Sequence, residues 1–190
     1  STIAGDTAGT VTVQNNINIT GTAAEITTAV GDVNTFSGTP TAALSNAHTL
    51  AQLKTINDAI SGQLTLTDYS VALSGTSAQV AAALDGTFAS TYTGAATVSD
   101  AHTLDQLKTI NNGTTGTITL NDVTVALTGS TADVKAALDG TFAAGYTGNV
   151  TLNDANSASV AAADISTIAG DTSGTVTVSN NINITGTAAE

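Results

Sequence analysis

The chain has 190 residues, of which 15 are acidic and three basic, all Lys, giving a net charge of −12; it has no Cys, Met or Trp and only three Phe and three Tyr. Phosphate recognition needs clustered Lys or Arg, so nucleic acid and anionic membrane surfaces are excluded as partners, and the lack of cysteine excludes disulfides, thiolate metal sites and thiol catalysis. No apolar run reaches the roughly 18 to 20 residues of a membrane span, so no membrane insertion is expected. The apolar content of 41% rests on small residues with Val, Ile and Leu, which fill a thin core between a sheet and a helix layer better than a thick globular one.

In chain order, the first feature is also the last. Ser1 to Glu25 and Ser166 to Glu190 match at 23 of 25 positions, differing only at Ala8/Ser173 and Gln14/Ser179, so a long period running from Ser1 to Ile165 is written into the sequence. Because Ser1 is not Met and enters in mid-repeat, a fragment or a processed product is expected. A seven-residue strand signature recurs seven times, from Gly9, Pro40, Gly62, Gly94, Gly116, Gly148 and Gly174. Gly116 to Asp122 is its cleanest copy, with Ile118 and Leu120 alternating with Thr, the period of a strand with one buried face.

Some copies run on into a second extended piece, as at Ile17 to Gly21, Val71 to Gly75, Val125 to Gly129 and Ile182 to Gly186. There a Ser/Thr pair such as Thr76-Ser77 or Ser130-Thr131 predicts a helix N-cap, and Val80, Leu84 and Phe88, like Val134, Leu138 and Phe142, are spaced for one helix face. Gly86 and Gly140 stand where left-handed C-terminal residues belong. The other copies pass directly to a helix, with Leu50, Leu53 and Ile56, or Leu104, Leu107 and Ile110, facing the sheet and Asn46 or Asp100 placed to cap it. Pro40 opens the weakest strand copy, and the last short coil, from Ala155 to Thr172, is about four residues longer than its siblings.

Lys54-Thr55-Ile56-Asn57 returns as Lys108-Thr109-Ile110-Asn111, and Ser1-Thr2-Ile3 and Ser166-Thr167-Ile168 occupy equivalent places, so the chain divides into units 1–53, 54–107, 108–165 and a partial 166–190. The fold class expected is an α/β solenoid of seven strand-helix coils, alternately long (about 32 residues) and short (about 22), with a parallel sheet on one side and short helices on the other. The strands would bond continuously along the axis in a rod on the order of 30 Å long. The alternative is a string of separate beads, one per unit, if the second strands fold back as hairpins.

Ser74 to Leu84 and Gly116 to Asp122 resemble the Ala/Thr/Asp-rich repeats of giant secreted bacterial surface proteins, the adhesin-like and S-layer-like class often exported by type I secretion. The resemblance implies an extracellular or cell-surface location and a structural or adhesive role. The glycine-rich calcium nonapeptide of toxin-type secreted repeats is absent, so calcium binding does not carry over from that class.

No catalytic constellation stands out, and a structural part is expected in place of an enzyme. No cofactor is expected, and Ca2+ is the one ion that its carboxylates would suit. Asp68, Asp100, Asp122 and Asp154, in a row completed by Asn15, Asn46 and Asn180, would line one sheet edge, where repelling carboxylates would titrate upward or be bridged by Ca2+. The plainer reading is that they form Asx turns and helix caps. Thr10, Thr12, Thr117, Thr119, Thr175 and Thr177 would form outward ladders suited to ice, mineral or glycan surfaces, or serve only as favourable strand residues.

His48 and His102 recur in equivalent places, too far apart for one ion, and are expected to face solvent near a helix start. Lys54 and Lys108 are expected near helix C-termini, where a cation is favoured. Asn18, Asn112, Asn149 and Asn183 head glycosylation sequons. The partners expected are copies of the chain, head to tail or lateral, or further repeats of it.

Overall fold

A computed structural model describes residues 9–187. Ser1-Thr2-Ile3 and the last residues of the 166–190 unit lie outside the described residues. In order, the elements are β1 (Thr12–Val13), β2 (Asn18–Gly21), α1 (Ala23–Asp32), β3 (Thr35–Phe36), β4 (Thr41–Leu44), α2 (Leu50–Ala59), β5 (Leu64–Thr65), β6 (Leu73–Gly75) and α3 (Ser77–Leu84). They continue with β7 (Ala96–Val98), α4 (Leu104–Gly113), β8 (Ile118–Leu120), β9 (Leu127–Gly129), α5 (Thr131–Leu138), β10 (Val150–Leu152), β11 (Ser159–Ala161), α6 (Ala162–Asp171), β12 (Val176–Val178) and β13 (Asn183–Thr185). The described chain is α/β, with six helices and parallel strands in five small sheets, none closed into a barrel.

All seven signature copies contain strands, and so do the four second extended pieces. The strand after Pro40, expected to be the weakest, is β4, four residues long and bonded on both edges. Proline before the first strand residue removes a donor that β4 does not need, while its carbonyl accepts from Gly62 N.

The sheets are β1-β3, β2-β4-β5, β6-β7-β8, β9-β10-β12 and β11-β13. Every pairing is parallel and joins a residue to one 22 to 26 positions later: Thr12 to Thr35, Asn18 to Thr41, Ala96 to Ile118, Val150 to Val176. Parallel strands require a crossover, and a helix supplies it; the second strands β2, β6 and β9 pair forward with β4, β7 and β10 and not as hairpins. The pairing interval is therefore nearly uniform. The alternation of long and short spacings in the sequence reflects where each signature falls along the path of the chain.

Two periods coexist. The first five helices begin at even steps of 27, at Ala23, Leu50, Ser77, Leu104 and Thr131, and each packs on the next. Strand partners over the same stretch stand closer in sequence, in steps of 22 to 24, as with Ala42 and Leu64, Asn18 and Thr41, or Leu64 and Phe88. With each return to the sheet, a helix start thus moves about four residues along the chain relative to the strand below it. No strand column can then persist. Sheet β2-β4-β5 closes with the Leu64–Phe88 bridge while β6 opens a new sheet beside α3, and Ile118–Phe142 and β9 repeat the arrangement. This mismatch replaces the uninterrupted axial ladder expected from the sequence with short, offset sheets. The extra residues before α6 appear as the longer interval from β10 to β12, as β11, and as the left-handed Ser157 at φ 64°.

Among the described residues, four helices start with a full capping box, Thr22/Glu25, Thr49/Gln52, Thr76/Gln79 and Thr103/Gln106, in which each side chain accepts from the other's backbone N–H. Their inward stripes, such as Leu53 with Ile56 and Leu107 with Ile110, are fully buried. Apolar packing runs from Ala23 to Ile168 without a gap, since Leu120 and Phe142 lie against both of its halves.

Phe88 and Phe142 fall beyond the ends of α3 and α5 and serve as bridge residues of the sheet. Gly86 and Gly140 are not left-handed; they are glycines because the amide ends of Asn57 and Asn111 occupy the space a Cβ would need. Asn57 Nδ2 donates to Ala83 O and Asn111 Nδ2 to Ala136 O, so each glycine makes room for a bond between successive helices.

Candidate functional site

The six threonines are all exposed, as strand alternation requires. They do not form one surface. Thr12 pairs with Thr35; Thr119 lies beside Thr97, itself beside Ser74; Thr177 lies beside Thr151, itself beside Thr128. The result is three short hydroxyl columns in three sheets, and Thr10, Thr117 and Thr175 precede the paired residues of theirs.

The Asx row divides in the same way. Asp100 and Asp122 follow β7 and β8 of one sheet, while Asp68 follows β5 and Asp154 follows β10, each in another. Two uses emerge, alternating from Asn46 to Asp154, while Asn180 donates its Nδ2 to Asp154 O. Asp68 Oδ1 accepts from Ser70 N and Oγ, and Asp122 Oδ1 from Thr124 N and Oγ1. These bonds hold both carboxyls below the usual carboxylate range, the reverse of the upward titration expected from a repelling row.

Asn46, Asp100 and Asp154 instead accept from the first helical N–H of α1, α3 and α5: Ala23, Ser77 and Thr131, each 23 residues earlier. They therefore cap the helix of the preceding turn of chain, and not the one that follows Asn46 or Asp100, which has its own Thr cap. Among the described residues, no group of three or more His, Cys, Asp or Glu side chains gathers as a metal would require. The Ca2+ edge thus has at most Asp100 and Asp122 in a shared sheet.

His48 and His102 are buried, not solvent-facing. His48 Nε2 lies 3.0 Å from Tyr92 Oη, which also lies 2.7 Å from Val71 O; in the next unit, His102, Tyr146 and Val125 repeat this at 3.1 and 2.6 Å. A phenol has one proton and a carbonyl can only accept. Tyr92 therefore donates to Val71, and His48 Nε2–H donates to Tyr92, which leaves Nδ1 as the unprotonated nitrogen. In both histidines Nδ1 is buried without a partner. Burial pushes both imidazoles below their usual range, against the opposing charge of Asp68 on one and of Asp122 and Asp100 on the other, and it pushes both phenols up.

Each clasp binds three successive returns of the chain, with Phe88 and Phe142 tilted against the tyrosine rings. The sequence held a clue: His48 with Tyr92, and His102 with Tyr146, recur at one and the same separation, twice the pairing interval.

Lys54 and Lys108 are each the fifth residue of a ten-residue helix, away from the C-terminal end expected for them. Lys54 pairs with Asp58 in its own helix, whereas Lys108 reaches Asp133 of α5 at 2.8 Å and Lys135 reaches Asp164 of α6 at 2.6 Å. All three pairs are partly exposed to solvent, which screens them, so each adds little to stability. The sequon residues Asn18, Asn112, Asn149 and Asn183 are exposed. No helix of the described residues is long and apolar enough to cross a membrane. Comparison with protein-family models, with curated proteins and with solved structures finds no match.

Proposed function

We propose that the chain is a segment of an α/β solenoid of seven strand-helix coils that builds an extracellular fibre, stalk or surface layer, and that it is not an enzyme. One observation carries this reading: every strand pairing is parallel and joins positions 22 to 26 apart, so each turn of chain rests on the one before it. The inter-turn caps, the His–Tyr clasps and the helix-to-helix ion pairs act along the same direction. An array so built gains length without new chemistry. Scarce Lys and absent Arg leave few tryptic sites, a useful property outside a cell. The resemblance to giant bacterial surface repeats points to the same role.

A second reading rests on the exposed Thr columns: a surface-binding module for ice, mineral or glycan. Thermal hysteresis or mineral adsorption that vanishes when Thr97 and Thr119 are both changed to Lys would support it.

Negative-stain electron microscopy with and without a chelator tests the first reading. Uniform filaments that persist in chelator are the expected result, and isolated particles in both conditions contradict it. Filaments that dissolve would make the Asp edge a Ca2+ site.

A further inference from the structure

Two clefts lie side by side in the interior of the array. One, of about 620 Å³, opens between the ends of α3 and α4; the other, of about 600 Å³, opens between the end of α4 and the flank of α5 and reaches Asp164 of α6. Each has the size of a small-molecule site. Asn111, Asn112, Thr114 and Thr115 line both, so together they form one trough across successive turns of chain. Some of its lining is already in use. Asn111 Nδ2 donates to Ala136 O, Thr114 Oγ1 to Gly94 O, Lys108 Nζ to Asp133 and Lys135 Nζ to Asp164. The rest is not. Asp85, Ser90, Thr91 and Asn112 in the first cleft, and Asp139 and Thr141 in the second, are exposed and have no side-chain hydrogen bond among the described residues. Half-buried Phe88 adds an apolar surface beside the first four.

These groups select a class of ligand. Hydroxyls and an amide both donate and accept, which suits a ligand that does the same along its length. Both lysines are already paired with aspartates, and Asp85 and Asp139 add negative charge, so a phosphorylated, sulfated or carboxylated ligand is repelled. The polar walls would leave a lipid or an apolar peptide with unmet hydrogen bonds. We propose that the trough binds a neutral oligosaccharide. Its hydroxyls bond to Asp85, Ser90, Thr91 and Asn112, the apolar face of one sugar ring rests on Phe88, and the chain continues past Asn112 toward Thr141. None of the column threonines of the sheets lines this trough, so the site is separate from them. It is also independent of whether the chain builds filaments.

Calorimetric titration of the 190-residue chain with cellohexaose, maltohexaose and chitohexaose tests this, with hexagalacturonate and hexalysine as charged controls. Saturable binding of at least one neutral hexasaccharide is the expected result, weakened about tenfold or more when Asp85→Ala and Asn112→Ala are combined. Backbone amide shifts of the unaltered chain give a second readout that does not depend on how the variant folds. On titration they should change within 85–92 and 109–115 and stay still around Thr97 and Thr119. Failure of all three neutral chains to bind overturns the proposal, and so does tighter binding of hexagalacturonate or hexalysine. Shifts centred on Thr97 and Thr119 overturn it as well, because they would place the sugar on the sheet columns.

Discussion

At the residue scale, the buried imidazoles set the acid response. Burial holds His48 and His102 below their usual value of about 6.5, so the unfolded chain binds protons that the folded chain refuses. Stability is therefore full above about pH 6.5 and declines as pH falls from there toward the lower folded values. Asp68 and Asp122 act in a separate window: their contribution is present above about pH 3.9 and is lost as pH falls through their depressed folded values. Replacing both histidines with Gln keeps a neutral donor toward each tyrosine. Urea midpoints of that variant should be flat between about pH 6.5 and 5, and an unchanged decline would show that other groups control it. Tyr92→Phe is harsher, because it strands the His48 donor and the Val71 carbonyl together. A loss of about 1 to 3 kcal/mol is expected from denaturant unfolding, and a neutral result would remove the clasp from the forces holding the fold.

At the scale of elements, two kinds of cap meet at each odd-numbered helix. Thr76→Ala removes a local N-cap and should cost about 1 kcal/mol. Asp100→Ala removes the cap that reaches α3 from the following turn of chain, and hydrogen exchange should speed up in α3 while α4 stays protected. Loss of protection in α4 instead would assign Asp100 to the helix that follows it. Gly86→Ala should destabilise by about 1 to 3 kcal/mol, because its methyl meets the Asn57 amide, and adding Asn57→Ala should recover part of the loss.

The local features were readable because they rest on local chemistry: alternation placed the strands, and Thr76 and Ser130 placed the helix starts. Features that depend on residues one turn away were not. Asp100 looks like the cap of the helix next to it in sequence, and Gly86 looks like a left-handed terminus until Asn57 is seen beside it. His48 looks like a polar residue near a helix start until Tyr92 folds over it.

At the scale of the molecule, the sequence carried its shorter and longer periods openly, and from them came the α/β class and the parallel strands. It concealed the interval between neighbours in space, since repeat length counts chemistry and pairing interval counts geometry. Here helices keep one and strands the other. The shortfall of about four residues per turn breaks the sheet into short offset pieces, and the helix stack and the clasps carry continuity across the breaks. Length per period is therefore the quantity that distinguishes an array from a globule. Scattering from chains with one, two and four copies of the Ser1 to Ile165 period measures it directly. The expected result is a maximum dimension that rises linearly, by on the order of 30 Å per period. Growth closer to the cube root of chain length would mean that the periods collapse on one another, and would contradict the solenoid.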